Sequence, residues 1–299
     1  MKRLSTLTIL LLLCASAAYA DVRGSWTAST DDEKDGRIHF NITRRKNWNN
    51  GNTFLLSRFA GLTSAQINAA AQTPVQFQMR SEAGTINFEG FFRAGDGAGN
   101  FTFAPNPQYM DTLRGLGLEP KIREKKHEER SDEDELFSLA IHDVSTDFIR
   151  TMRAEGFDVS LDKYTSMRIF SVTPEYIREM RGLGYKDISA DKLVETRIHK
   201  VTPDYIRKMR AAGWDLSLSK LVASRIHGAT PEFAAEMSRL GYSGLDHDDL
   251  IAFRIHRVTP EFIKELEAAG YRNVPVDKLV KMRIHGVDAK FIKKMNDVD

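Results

Sequence analysis

The chain has 299 residues, of which 41% are hydrophobic and 28% charged, and its formal net charge is +2. This near-neutral balance argues against nucleic acid as the main partner, because nucleic-acid-binding proteins carry a strong basic excess. The single cysteine, Cys14, lies in an N-terminal apolar stretch. After that stretch, no segment is apolar over the length that a membrane span requires.

Residues 1–20 have the parts of a secretory signal peptide. A basic start at Lys2 and Arg3 precedes the apolar stretch, and Ala18-Tyr19-Ala20 is a small-x-small cleavage site. Cleavage would lower the formal charge from +2 to 0 and would remove the only cysteine. The sequence therefore predicts an exported protein, periplasmic or secreted, without disulfides or a transmembrane segment after signal cleavage.

Residues 21–105 are predicted to form a small antiparallel β domain of five or six strands, because apolar and polar residues alternate in several segments. Ala83-Gly84 and the run Gly95–Asn100 are interpreted as turns. In that run, Asp96 is more typical of a hairpin turn than of a calcium ligand. Thr63–Gln66 is a capping box that begins a short helix. The core is expected to include Trp26, Ile38, Phe40, Ile42, Phe59, Val75, Phe77, Met79, Ile86, Phe88, Phe91, Phe92, Phe101 and Phe103.

Residues 106–299 repeat with a period of 28 or 29 residues. The dipeptide Ile-His marks the register from Ile141-His142 to Ile284-His285, with Ile169-Phe170 in one position. Such a period is typical of units that bury their apolar faces only by stacking on their neighbours. The predicted fold class is therefore α+β: the β domain is followed by an α-solenoid of about five and a half helical hairpins. A charged insert near residues 119–129 interrupts the first hairpin.

One repeat unit illustrates the predicted hairpin. Thr173 is expected to cap a first helix that begins at Pro174, because threonine and proline suit these two positions. Gly184 is expected to end this helix in the left-handed conformation. Ser189 then caps a second short helix. Helices this short are not stable alone in water, so burial between repeats must hold them.

Histidines and arginines flank the repeated isoleucine. Metal binding by these histidines is disfavoured, because packed helices lie roughly 10 Å apart and zinc–nitrogen bonds measure about 2 Å. A structural link between units is favoured, and a pH-sensing role is the alternative. The arginines are expected to bridge to acids at helix starts, such as Glu175, Asp204, Glu232 and Glu261, with an anion-binding stripe as the alternative. This structural ladder comprises Arg168, Arg197, Arg225, Arg254, Arg283, His142, His199, His227, His256 and His285.

A second row of basic residues follows one face of the first helices and is interrupted at Ala235. One interpretation is a solvated helix face. The other is a concave strip that binds an acidic protein or polymer. This cation row consists of Arg150, Arg178, Arg207, Lys264 and Lys293, which are the candidate partner-binding residues.

Enzyme motifs are mostly missing from the sequence. The segment from His127 to Arg130 lacks the second histidine of a zinc protease, and there is no nucleophile elbow, phosphate-binding loop or dinucleotide fingerprint. The acidic pair Asp248-Asp249 is explained by capping of a helix start. We therefore expect no catalytic residue, no cofactor and no metal site.

The repeat units carry a family resemblance. TPEYIREMRGLGYKDISADKLVETRIH and TPEFIKELEAAGYRNVPVDKLVKMRIH resemble repeats of exported bacterial proteins of unknown function and the repeat tails of BlaR1-type membrane metallopeptidases. The resemblance covers about residues 106–299, and the β region with its GSW and AGTINFEG segments resembles the companion domain. The peptidase domain has no counterpart, so no catalytic residue carries over. The resemblance implies an envelope interaction or sensing module.

Three functions follow from the sequence, in decreasing order of support. The first is a non-enzymatic protein-binding or scaffold module that acts on a cell-envelope protein through its helical-repeat surface. The second is an envelope ligand sensor with a small-molecule site in the β domain and the repeats as relay. An apolar cavity between Phe40, Phe77, Phe88 and Phe101 would favour this sensor, and a filled core would not. The third is an enzyme of an unrecognised class.

Overall fold

The structure is a computed structural model, and it describes residues 22–30, 36–45, 48–119 and 131–296. The predicted signal peptide, nearly all of the charged insert and the motif at His127 lie outside these residues. The chain divides into two compact units, Met1–Ile149 and Arg150–Asp299. An antiparallel sheet is followed by a series of helices, so the predicted α+β class is confirmed.

Six antiparallel strands form one sheet in the order β3-β2-β1-β6-β5-β4. Their side chains alternate between buried and exposed, as the period-two pattern predicts. A four-residue helix, α1 (Ser64–Ile67), precedes β4, and the Thr63–Gln66 capping box that begins it is confirmed. The strands are β1 (Val22–Ser29), β2 (Arg37–Arg45), β3 (Trp48–Leu55), β4 (Thr73–Ser81), β5 (Gly84–Arg93) and β6 (Asp96–Pro105).

Aromatic rings fill the buried face of the sheet. Phe77 stacks on Phe88 with ring centroids 4.8 Å apart, and Trp26 lies at 5.3 Å from Phe40. The Trp26 indole N–H donates to two backbone carbonyls, at 3.2 and 3.1 Å, so the ring is buried without an unpaired donor. Phe91 was expected in this core but is 40% exposed. Because neighbours on a strand face opposite sides, burying Phe92 turns Phe91 outward.

The run Gly95–Asn100 was predicted as a turn, and this prediction is right for Gly95 and wrong for residues 96–100. Only Ala94 and Gly95 turn the chain, and β6 begins at Asp96. A β-carbon at Gly97 would lie 2.5 Å from the Phe92 ring, and one at Gly99 would lie 1.9 Å from a β5 carbonyl. These glycines therefore allow neighbouring strands and rings to pack closely against β6. Turn propensity alone does not distinguish such a strand from a loop, because glycine is frequent in both.

Two helices, α2 (Pro107–Gly115) and α3 (Asp132–His142), belong to the same compact unit as the sheet. The Phe137 ring of α3 stacks on Phe101 at 5.3 Å. Beyond α3, Asp143 forms an ion pair with Arg58 of the sheet region at 3.0 Å. The predicted domain boundary at residues 105/106 thus marks a change of secondary structure, whereas the compact units divide after Ile149.

Helical hairpins make up the second unit, and the first of their helices begins just before the boundary at Ile149. The predicted caps of the representative repeat are confirmed: the Thr173 and Ser189 hydroxyls accept backbone N–H groups, and Gly184 has φ of +94°. The first helices are α4 (Thr146–Ala154), α6 (Pro174–Gly182), α8 (Pro203–Ala211), α10 (Pro231–Arg239), α12 (Pro260–Ala268) and α14 (Ala289–Asn296). The second helices are α5 (Leu161–Ile169), α7 (Ala190–Ile198), α9 (Leu218–His227), α11 (His247–Ile255) and α13 (Val276–Ile284).

Each second helix contacts the next one along the chain, from α5 through α7, α9 and α11 to α13. Leu193 and Met209 are fully buried among these hairpins. Polar contacts also join successive repeats: the Tyr185 hydroxyl donates to the Leu216 carbonyl at 2.6 Å, and Lys220 pairs with Asp248 at 3.1 Å. Each hairpin is therefore stabilised by its neighbours in sequence.

Candidate partner-binding surface

The cation row lies on the exposed side of the first helices in the second unit. Arg150, Arg178, Arg207, Lys264 and Lys293 are all exposed. Several of these charges have acids beside them. Arg178 contacts Glu175 at 3.1 Å and Glu155 at 3.4 Å. The positive charge of Lys264 contributes to the lowered pKa of the neighbouring Glu261. The row is consequently a mixed-charge face, in which local acids offset part of the positive potential.

Four arginines of the structural ladder lie over aromatic rings of the first helix that precedes them. The guanidinium of Arg197 lies 5.0 Å from the Tyr176 ring centroid, and that of Arg225 lies 3.8 Å from the Tyr205 ring. Arg254 over Phe233 and Arg283 over Phe262 repeat the arrangement at 4.8 and 4.9 Å. Such cation–π contacts are typically worth about 0.5–1 kcal/mol at exposed sites.

Backbone carbonyls complete the arginine contacts. Nε of Arg197 donates to the Phe170 carbonyl at 3.0 Å, and Nε of Arg254 donates to the His227 carbonyl at 3.2 Å. Each bond reaches the end of the preceding second helix, where carbonyls lack helical partners. The predicted acids have other contacts: Glu175 pairs with Arg178, and Asp204 pairs with Lys208 at 3.0 Å. The ladder arginines thus stack on a ring of their own hairpin and join that hairpin to the preceding repeat through a carbonyl.

The ladder histidines lie at the C-terminal ends of α3 and of the second helices. His142, His199, His227 and His256 are partly buried, whereas His285 is exposed. A different histidine, His247 at the start of α11, is the buried one, with 7% of its surface exposed. Within the ranges the structure describes, no three His, Cys, Asp or Glu side chains are grouped to hold a metal ion.

Two sets of inter-repeat contacts were missed in the sequence. His247 Nε2 lies 2.7 Å from the Ser224 hydroxyl of the preceding hairpin. Arg181 and Arg210, near the ends of first helices, donate to the Glu155 and Leu183 carbonyls at 2.6 and 2.8 Å. The arginine pair recurs 29 residues apart, so the repeat alignment contained a signal for it. The other repeats have no histidine at the position of His247, so its contact could be found only from the packing of the hairpins.

Sequence reasoning also missed a surface feature, which the repeated isoleucines form. Helical patterns usually place such a residue in the core, as they do Ile141 of α3, yet the five that follow project into solvent at the C-terminal ends of the second helices. We name them the isoleucine row. Their exposed fractions are 41% for Ile169, 47% for Ile198, 55% for Ile226, 50% for Ile255 and 54% for Ile284.

The four rings that the sensor hypothesis placed around a cavity pack against one another. Phe40 lies 6.0 Å from Phe77 and 5.9 Å from Phe88, and Phe88 lies 6.2 Å from Phe101. All four side chains are at least 97% buried. Ring-to-ring contact at these distances is ordinary core packing. A cleft of about 440 Å³ borders Phe77, Phe88 and Phe101, but polar residues such as Gln78 and Asn87 also line it, so it is not the apolar cavity that the hypothesis required.

No helix in the described parts of the chain combines the length and apolar character needed to cross a membrane. Comparisons with family models, with curated proteins and with solved structures give no match for this chain. Inference about function therefore rests on the geometry of the molecule itself.

Proposed function

We propose that this protein is a non-enzymatic binding module whose hairpins form an α-solenoid and recognise another protein in the cell envelope. The observation that carries the proposal is the isoleucine row, in which one surface position stays apolar and exposed in five successive hairpins. Repeat scaffolds present equivalent positions side by side, so a side chain kept at one register becomes a continuous strip. Export, the envelope location and the likeness to metallopeptidase repeat tails are parts of this proposal and rest on the sequence.

The cation row offers a second strip on the same repeats. Its charges are exposed but partly offset by neighbouring acids, as at Arg178 and Glu175. Charged rims of interfaces mainly affect association rates and partner choice, whereas apolar anchors supply more of the affinity. We therefore assign the cation row a steering role beside an apolar contact surface.

Affinity capture with the intact mature chain tests the proposal. Wild-type bait is compared with an Arg178→Glu/Arg207→Glu/Lys264→Glu variant and with an Ile226→Ser/Ile255→Ser variant, using an envelope extract at two salt concentrations. We expect one protein to be retained by the wild type and lost from at least one variant, with melting temperatures unchanged. A retained protein that both variants still bind would place the interface elsewhere and would contradict the proposal.

A further inference from the structure

The isoleucine row is apolar along its length. A single exposed isoleucine is ordinary on a protein surface, but five at one register on successively packed helices form a strip. One turn earlier on α9 and α11, Ala223 and Ala252 are partly exposed and extend the apolar surface. Contiguous apolar surface of this kind marks an interaction site.

Positive charge borders the strip. An arginine precedes every isoleucine, and Arg225 and Arg254 are themselves exposed. Lys200 and Arg257, in the turns that follow two second helices, are also exposed. The acid nearest to the row in sequence, Glu195, pairs with Lys192 at 2.5 Å. The strip is therefore complementary to a chain that combines aliphatic and acidic side chains.

The spacing of the row favours an extended chain. Packed helices lie about 8–10 Å apart, and a polyproline II chain rises about 3.1 Å per residue, so every third side chain returns to one face after about 9 Å. A β-strand returns after about 7 Å. A bound helix is anchored by side chains at i, i+3, i+4 and i+7 in a hydrophobic groove, whereas each hairpin here presents one isoleucine.

We infer that the isoleucine row binds an extended segment of the partner, with aliphatic residues at every third position and acidic residues between them. This inference rests on the proposed function and names the class of segment that is recognised. The bound segment buries its aliphatic side chains against Ile198, Ile226, Ile255 and Ile284. Its carboxylates face the arginines that precede these isoleucines, and the ring-stacked guanidinium groups are already held in place.

Synthetic peptides test the inference by isothermal titration calorimetry with the intact mature chain. The probe is five repeats of leucine-proline-glutamate. The controls are five repeats of leucine-proline-lysine and an acidic helical peptide with leucine at heptad spacing. We expect the acidic extended peptide to bind at least about tenfold more tightly than either control, a ratio that corresponds to about 1.4 kcal/mol.

Variants connect the binding to the row. Ile226→Ser/Ile255→Ser is expected to weaken the acidic peptide about tenfold or more, because several buried methylene groups are lost. Leu55→Ser, which alters an equally exposed apolar residue in β3, is the matched control and should change nothing. No binding of the acidic peptide, equal binding of all three peptides, or an unchanged affinity in the double variant would overturn the inference.

Two further outcomes are distinguishable. Preferential binding of the helical peptide would overturn the extended segment but would leave the proposed function standing. A concentration-dependent dimer in sedimentation that Ile226→Ser/Ile255→Ser converts to monomer would assign the row to a second copy of this chain. The proposed function itself fails only when no repeat-surface variant affects the capture of an envelope protein.

Discussion

At the scale of single residues, the ladder arginines stabilise the repeats through rings and carbonyls. The sequence placed an arginine at a fixed position and predicted acidic partners for it. In the structure, Arg225 lies over the Tyr205 ring at 3.8 Å, the shortest of the four distances in this ladder. A planar guanidinium can stack on a ring and donate to a carbonyl at once, which a lysine ammonium cannot do.

This geometry predicts that Arg225→Met lowers the free energy of unfolding by about 0.5–1 kcal/mol, because the cation–π contact is lost. Urea denaturation followed by circular dichroism measures the change. Arg207→Met is the matched control, since Arg207 is also exposed and lies over no ring in the described part of the chain. An equal loss in both variants would show that the Tyr205 contact contributes nothing.

At the scale of elements, most helices of the second unit have only nine residues. Helices of this length are marginal in water, so their stability comes from the neighbouring hairpins. Side-chain caps mark where most of these helices begin, as the Thr173 hydroxyl does for α6. Helices α5 and α13 begin without one. Packing of fully buried side chains such as Leu193 and Met209 then determines whether the helix persists.

We therefore expect Leu193→Asp or Met209→Asp to unfold neighbouring hairpins as well as its own. Burying an unpaired carboxylate costs several kcal/mol, which exceeds what a few hairpins can supply. Far-ultraviolet circular dichroism should show a large loss of helix at 25 °C. Ala235→Asp, on the exposed face of α10, should keep the full helical signal. A full helical signal from both core variants would contradict stacking between repeats.

At the scale of the whole molecule, glutamates at equivalent repeat positions together make the stability of the fold depend on pH. The backbone N–H groups at the helix starts and the hydroxyls of Thr173, Thr230 and Thr259 lower the pKa of Glu175, Glu232 and Glu261 below the ordinary value of 4.5. A carboxyl whose pKa is lower in the folded state stabilises the fold above its unfolded pKa. That stabilisation disappears as the pH falls through the folded pKa.

The sign of this effect gives a prediction for Glu175→Gln/Glu232→Gln/Glu261→Gln. The variant should be less stable than the wild type at neutral pH, and the difference in melting temperature should close as the pH falls below 4.5 and through the lowered pKa of the folded state. Differential scanning calorimetry across this range measures both curves. Glu265→Gln, in the middle of α12, is the control. A gap that stays constant with pH would exclude the charged form of these carboxyls as the cause.

The sequence by itself determined most of the elements and their limits, with the start of β6 as an exception. Alternation predicted the inward faces of the strands, and threonine, proline and glycine at fixed repeat positions predicted where helices such as α6 begin and end. These features follow from local backbone and side-chain chemistry, so they can be read without knowing the fold. The position of the cation row on exposed helix faces can likewise be predicted from the helical period alone.

Tertiary structure decided which neighbours the side chains meet. Phe91 was expected in the core because it is aromatic, and Ile226 marked the repeat without any indication that it is exposed. The ring contact of Arg225 depends on packing between the two helices of its hairpin, and the burial of His247 depends on contacts between hairpins. The close approach at Gly97 depends on the Phe92 ring. Helical and strand periods specify a face within one element, whereas burial depends on which other element covers that face.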